Sequence, residues 1–276
     1  MFYPKAAEDL HLPAYHAPQG GFMPGDEKRK LEKTITALQN RWGSQIVQRG
    51  RPPTAVTAIS TTFPELDAAL GSGGIPRGRL TEIGGVPTSG MATLVLKVIA
   101  AAQGEGGTAV YLDIERTFDA DYAARCDVQL QQLIVVRPYT VRQGIHMLAD
   151  FLAPGSPDVL VFDSALERLT EPATAALLTT AVSRLTSPLA HSACALIFLL
   201  ALPEPPPPSP LAHYAALRLR LHKERWLYRR GDVRGYEAQV EVTRSRLGPA
   251  GRRARIAITF NGTVDGDGLS SGERRR

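Results

Sequence analysis

The sequence predicts an α/β fold with a mainly parallel central sheet, flanking helices, an antiparallel C-terminal edge and a preceding N-terminal helix. Three observations predict it. Short, continuously apolar runs at Ala109–Asp113, Leu133–Val136 and 159–163 alternate with helical segments, as strands buried on both faces of a parallel sheet do. A glycine-spaced loop at 85–93 joins a strand to a helix, the setting of a phosphate-binding loop. Beyond residue 210 the pattern changes to longer alternating runs at 216–222, 236–243 and 255–260, which suit an antiparallel edge.

Bulk properties set the class. A chain of 276 residues with 43% apolar and 21% charged residues is long enough for one sizeable core plus an appendage. The longest apolar run, 193–202, is too short to span a bilayer and reads as a buried strand, so no membrane partner is expected. Residues 1–25 lack the basic-then-apolar order of a secretory signal. Cys126 and Cys194 have neither metal-ligand nor redox spacing, so a cytoplasmic location is expected. The net charge of +5 is compatible with a nucleic-acid partner without establishing one.

Taken in order, residues 1–25 carry prolines and glycines without periodicity and read as a disordered arm. Segment 26–57 is an N-terminal helix and linker. Asp26 is the candidate N-cap and Gly43 the C′ residue, with Leu31, Ile35, Leu38 and Trp42 forming one apolar stripe. That stripe packs on its own domain or docks on a neighbouring subunit. Segment 58–262 holds the core: a short helix at 67–70, a turn over 71–78, a strand at 80–84 and a helix at 93–103. Segment 263–276 is a polar tail ending in three arginines.

The loop Gly85-Val86-Pro87-Thr88-Ser89-Gly90-Met91-Ala92-Thr93 follows the spacing G-x-x-x-x-G-K-[ST]. In that motif backbone N–H groups cradle phosphates, the lysine reaches the β and γ phosphates, and the hydroxyl ligates Mg²⁺. Here Met91 stands at the lysine position and Ala92 at the hydroxyl position. Asp163 ends an apolar strand and precedes Ser164, which is the arrangement of a carboxylate supporting Mg²⁺ through water. A structural hydrogen-bond acceptor is the alternative. Glu115 lies just past a strand, where α/β folds place ligands; a solvated loop carboxylate is its alternative.

These motifs share an order with a known family. The chain resembles bacterial RecA, the DNA strand-exchange ATPase, from about Asp26 to Gly262. The resemblance rests on Asn40-Arg41-Trp42-Gly43, on Phe63-Pro64-Glu65-Leu66-Asp67, and on Gly74-Ile75-Pro76-Arg77-Gly78 before the loop. It implies a RecA-like nucleotide-binding core without the large C-terminal domain, since the chain stops soon after the last core strand. Glu115 would then be the general base, weak or relic, that orients the attacking water. Gly85, Thr88, Ser89, Gly90, Met91, Ala92 and Thr93 would surround the phosphates, and Asp119 and Tyr122 the adenine. Asp163 would hold Mg²⁺ indirectly, if at all. Arg244 and Arg246 match basic residues that reach a neighbouring subunit's nucleotide.

The same resemblance marks departures. Ala201 stands where a polar sensor is expected. The first DNA-binding loop, after Leu166, looks short. The second is the proline run 203–210, which has few backbone donors and neither cations nor rings to meet DNA. The basic stretches 218–234 and 244–255 remain able to follow a DNA backbone. The expected role is therefore a non-catalytic or weakly active RecA-like subunit in DNA repair, recombination or the SOS response. Its expected partners are RecA or RecA-like subunits or a DNA-repair polymerase complex, an accessory role like that of ImuA. ATP is the possible cofactor, with weak or absent binding, and Mg²⁺ is doubtful. A sensor that binds ATP without turnover, or a recombinase with an atypical loop, is the alternative.

Overall fold

A computed structural model describes residues 24–43, 56–153 and 155–259. Most of the arm, the linker around 50–53 and the C-terminal tail lie outside the described residues. The chain divides into two units between Thr54 and Ala55. In the first, helix α1 spans Pro24–Trp42. It begins at Pro24 rather than after an Asp26 cap, because a proline's fixed φ and missing N–H suit the first helical turn. Gly43 closes the helix at φ 95°, with its N–H donating to the Gln39 carbonyl, as expected for a C′ glycine. Leu31, Leu38 and Trp42 are exposed on it.

The second unit is built on eight strands in the order β10-β9-β8-β3-β7-β6-β4-β5. Strands β3 (Arg79–Gly85), β4 (Ala109–Asp113), β5 (Leu133–Val136), β6 (Val159–Ala165) and β7 (Ala195–Ala201) run parallel. The apolar runs of β3, β4, β6 and β7 are continuous because helices cover both faces, whereas β5 ends the sheet and is only partly buried. On one face lie α2 (Pro64–Leu70), α3 (Met91–Gly104) and α4 (Ala120–Arg125), where Leu94, Val98 and Ile99 pack against Ile83, Val161 and Ile197. On the other lie α5 (Val141–Phe151), α6 (Leu166–Thr170) and α7 (Pro172–His191), where Leu148, Leu178 and Leu185 pack against Leu160, Phe162 and Phe198.

Strands β8 (Leu217–Arg229), β9 (Asp232–Ser245) and β10 (Arg253–Thr259) add the antiparallel edge. A two-residue turn joins β8 to β9 through Arg230 at φ 52° and Gly231 at φ 87°, the handedness that suits a hairpin's twist. Both strands run well past the sequence-predicted 216–222 and 236–243, because cross-strand hydrogen bonding continues where the apolar alternation stops. Two further departures are local. The turn over 71–78 contains β2 (Ile75–Pro76), paired antiparallel with β1 (Ala58–Ile59). The expected loop after Leu166 is instead α6, with α7 starting two residues later at Pro172, a favourable first helical residue.

Buried ionic contacts fix the edge. Glu82 in β3 accepts from Arg218 Nη2 at 2.8 Å and from Ser209 Oγ at 2.8 Å. This ties the end of the proline run to the sheet, while Leu202 N donates to the Gly85 carbonyl at its start.

Candidate nucleotide-binding site

The loop 85–90 leaves the C-terminal end of β3 and turns into α3, with Ser89 N donating to the Val86 carbonyl at 3.2 Å. Thr88 at φ 67° and Gly90 at φ 97° give the loop its left-handed turns. Glycine is required at both ends, for different reasons: a Cβ on Gly85 would lie 2.4 Å from the Leu221 carbonyl oxygen, and Gly90 sits at φ 97°, which side chains rarely adopt. Gly85, Ala201 and Ala165 stand in register at the ends of β3, β7 and β6.

Inside this frame Met91 is buried, 8% exposed, within the core cluster that also holds Tyr236 and Ile258. Its sulfur lies 3.2 Å from the place of a Gly85 Cβ, and Ser89 Oγ lies 2.6 Å from the same point. The buried Ser89 hydroxyl has no hydrogen-bond partner among the described residues. An ammonium group at position 91 would carry three donors; a thioether is only a weak acceptor. The loop thus keeps its left-handed turns, while position 91 brings no charge.

The residues downstream are engaged with one another. Thr93 Oγ1 and the Tyr122 hydroxyl are 2.5 Å apart, and Arg125 stacks over the Tyr122 ring at 5.5 Å. Burial pushes the Tyr122 phenol pKa upward. Asp119 caps α4, its Oδ1 accepting from Tyr122 N at 2.9 Å. The structure therefore brings Thr93 and Tyr122 together beside the loop and gives Asp119 a capping role.

The carboxylates gather at the ends of β4 and β6, where Asp113 and Asp163 are register partners. Asp163 Oδ2 accepts from the Tyr111 hydroxyl at 2.6 Å and from Thr117 Oγ1 at 3.4 Å. Burial raises its pKa from 3.8 to about 6, opposed by the Tyr111 hydrogen bond and assisted by Asp113 and Glu115. Asp113 is fully buried, accepting from Thr117 N at 2.9 Å and Arg137 Nε at 3.0 Å. Glu115 Oε1 accepts from Ala165 N at 3.1 Å and pairs with Arg168 Nε at 2.8 Å. Sequence reasoning missed Asp113, Arg137 and Arg168. Asp113 was visible as a carboxylate ending an apolar strand, the same signal that marked Asp163.

These residues do not fit a metal site. Position 92 has no hydroxyl, and Asp163 already accepts two side-chain hydrogen bonds. Among the described residues no group of three or more His, Cys, Asp or Glu residues is arranged to hold a metal ion.

Arg244 and Arg246 lie elsewhere. Arg244 pairs in register with Arg218, itself opposite Glu82, about 10 Å back along the strand from Gly85. Its guanidinium donates to the Ala212 carbonyl, and that of Arg246 donates to the His213 carbonyl. Arg246 also lines a groove of about 300 Å³ with Leu80, Val182, Leu185, Leu189 and Tyr214. No other candidate residue lines that groove, and it sits towards the N-terminal end of β3, away from the loop.

Known proteins match the chain over most of its length. The RecA N-terminal domain family covers residues 29–265. Protein RecA of Thermus thermophilus is 32% identical over 269 residues, spanning 88% of this chain and 79% of that protein. Protein RecA of Wolbachia sp. subsp. Drosophila simulans is 30% identical over 262 residues, spanning 86% and 74%. Protein RecA of Herpetosiphon aurantiacus is 30% identical over 267 residues, spanning 88% and 75%. With this coverage and an α/β core of the expected architecture, the chain belongs to the RecA family.

Proposed function

We propose that this RecA-family chain acts in DNA repair and recombination as a filament-associated or scaffolding subunit that does not turn over ATP efficiently. One observation carries the reading: at the lysine position of the phosphate loop a methionine is buried in the core beside an unsatisfied serine hydroxyl. Phosphoryl transfer depends almost wholly on positioning and charge neutralisation. Met91, Ala92 and Ala201 supply no charge, no metal ligand and no sensor. Glu115, the candidate base, is paired with Arg168. The exposed stripe Leu31, Leu38 and Trp42 on α1 supports docking on a RecA-like neighbour. On this reading the phosphate loop is degenerate and the chain a pseudoenzyme.

A second reading, an ATP sensor without turnover, draws on the preserved backbone of the loop, with Thr88 and Gly90 in left-handed conformations that favour an anion-binding cradle. Calorimetric titration with Mg-ATP, run beside a turnover assay with single-stranded DNA, separates the two. The scaffold reading expects negligible heat and no turnover; tight binding without turnover selects the sensor. Turnover stimulated by DNA overturns both. The Met91→Lys, Ala92→Thr double variant should gain nucleotide affinity if the cradle is intact. Recovery of the host RecA on immobilised full chain, but not on a chain lacking residues 1–50, is the expected result for docking through α1; equal recovery refutes it.

A further inference from the structure

The proline run 203–210 has no part in the phosphate loop, and its conformation follows from its residues. Proline fixes its own φ and drives the residue before it into the extended region. Pro205, Pro206, Pro207 and Ser209 each precede a proline. Residues 205–210 are therefore held as a polyproline II helix with three residues per turn. The peptide bonds within this stretch are trans, the cis bond lying before Pro205.

Burial repeats with the same period. Pro205 and Pro208 are exposed, whereas Pro206 is half-buried and Ser209 is buried. One ridge thus faces outward, its two rings about 9 Å apart along the axis, and the next ridge rests on the protein. Ser209 Oγ donates to the buried Glu82 at 2.8 Å and accepts from Leu211 N at 3.2 Å. At the other end Leu202 N donates to the Gly85 carbonyl at 2.9 Å. With both ends fixed, the ridge is ordered before any partner arrives. Among the described residues no carbonyl from Pro203 to Pro208 accepts a hydrogen bond. Glu204, exposed beside the ridge, makes no ion pair among them.

From this arrangement we infer that the proline run is a docking ligand for a partner protein with an aromatic-lined groove and a basic rim. Pro205 and Pro208 fill the slots between the groove's rings. The N–H and O–H groups of groove Trp and Tyr donate to the free carbonyls, and the rim cation meets Glu204. Grooves of this class take polyproline II segments because the ligand is already extended and loses little entropy on binding. A spacer between β7 and β8 needs length and two anchors, but no outward row of rings. Nucleic acid does not fit a run that carries a carboxylate and no cation. The inference goes beyond the proposed role in repair and uses neither α1 nor the phosphate loop.

The test is titration of isotope-labelled WW domains, chosen to differ in the charge at the groove rim, with the full chain. Each domain is paired with a control whose groove tryptophan is replaced by alanine. Basic-rimmed domains should bind, with NMR shifts confined to the aromatic groove, and their controls should not. The Pro205→Ala, Pro208→Ala double variant removes ring methylenes from the outward ridge and should weaken binding at least roughly tenfold. Pro206→Ala, on the inward ridge, should stay within about twofold of the parent. Glu204→Lys should weaken binding at low salt, and the difference should shrink at high salt. Melting temperatures matched to the parent establish that each variant is folded. Absence of groove shifts with every domain overturns the assignment, as does equal binding by a domain and its control. Equal loss in the double variant and in Pro206→Ala overturns the ridge, and an unchanged affinity in Glu204→Lys overturns the basic rim. None of these outcomes alters the expected recovery of RecA through α1, which is measured separately.

Discussion

The Tyr111 hydroxyl donates a 2.6 Å hydrogen bond to Asp163 Oδ2 across the adjacent strands β4 and β6. A carboxylate held by a neutral phenol and the Thr117 hydroxyl, with Asp113 beside it, gains hydrogen bonds from neutral donors alone. Burial then dominates, and its pKa rises from 3.8 to about 6.

The rise makes stability depend on pH with a definite sign. Between those values the folded chain holds the Asp163 proton and the unfolded chain has released it. The stability contribution of this group is therefore fully present below about pH 4 and is lost as pH rises through about 6. The shift of about two units corresponds to about 3 kcal/mol. Asp163→Asn should be more stable than the parent at pH 7 and nearly equal to it at pH 4. Urea unfolding midpoints across that range measure the difference, and a constant offset between the two proteins would refute it.

Met91 sets a second expectation. Met91→Lys alone places an ammonium in an apolar site, where desolvation opposes it. The variant should lose about 1–3 kcal/mol by chemical denaturation, and pyrophosphate or ATP should restore part of the loss if the loop still presents its N–H groups. A loss that neither polyanion relieves would show that the loop interior is closed to phosphate.

Lys97 and Asp127 form an unequal pair. The 2.7 Å contact joins a lysine side chain 6% exposed to an aspartate 62% exposed. Removing the carboxylate leaves a buried charge without its partner, so Asp127→Ala should cost about 1–2 kcal/mol, whereas Lys97→Met should stay within about 1 kcal/mol. Thermal unfolding of the two variants gives the comparison.

Glu82 in β3 is the buried carboxylate to which β8 of the antiparallel edge is tied through Arg218. Arg218→Met leaves it with Ser209 as its remaining hydrogen-bond partner and should cost about 3–5 kcal/mol, read from urea denaturation. Hydrogen exchange should also accelerate at Leu211 N, which donates to the Ser209 hydroxyl.

The legible parts of the sequence were those where one physical signal acted alone. Strands Ala109–Asp113 and Leu133–Val136 match their apolar runs residue for residue; in the first, double-sided burial ends where the strand ends. The outer hairpin was not legible, since Lys223 to Arg234 form strands by cross-strand hydrogen bonds without an alternating apolar code. Asp163 and Glu115 come together because they end or follow the neighbouring strands β6 and β4, whereas Tyr122 lies in α4 and meets Thr93 through a contact that no strand position signals. The ion pairs of the carboxylates were not legible either, because Arg137 to Asp113 and Arg168 to Glu115 span 24 and 53 positions in the chain, and charge alone specifies no partner at such separations.

The row of Gly85, Ala201 and Ala165 across three strand ends has a consequence for timing. A motor reports the loss of a phosphate through a side chain that changes partner, and these residues have no polar side chain with which to do so. On the proposed reading, an assembly containing this chain has no chemical clock at this position. Its residence beside a neighbour would be set by the rate of dissociation, and a hydrolysing subunit next to it would meet a fixed boundary through which no nucleotide signal passes.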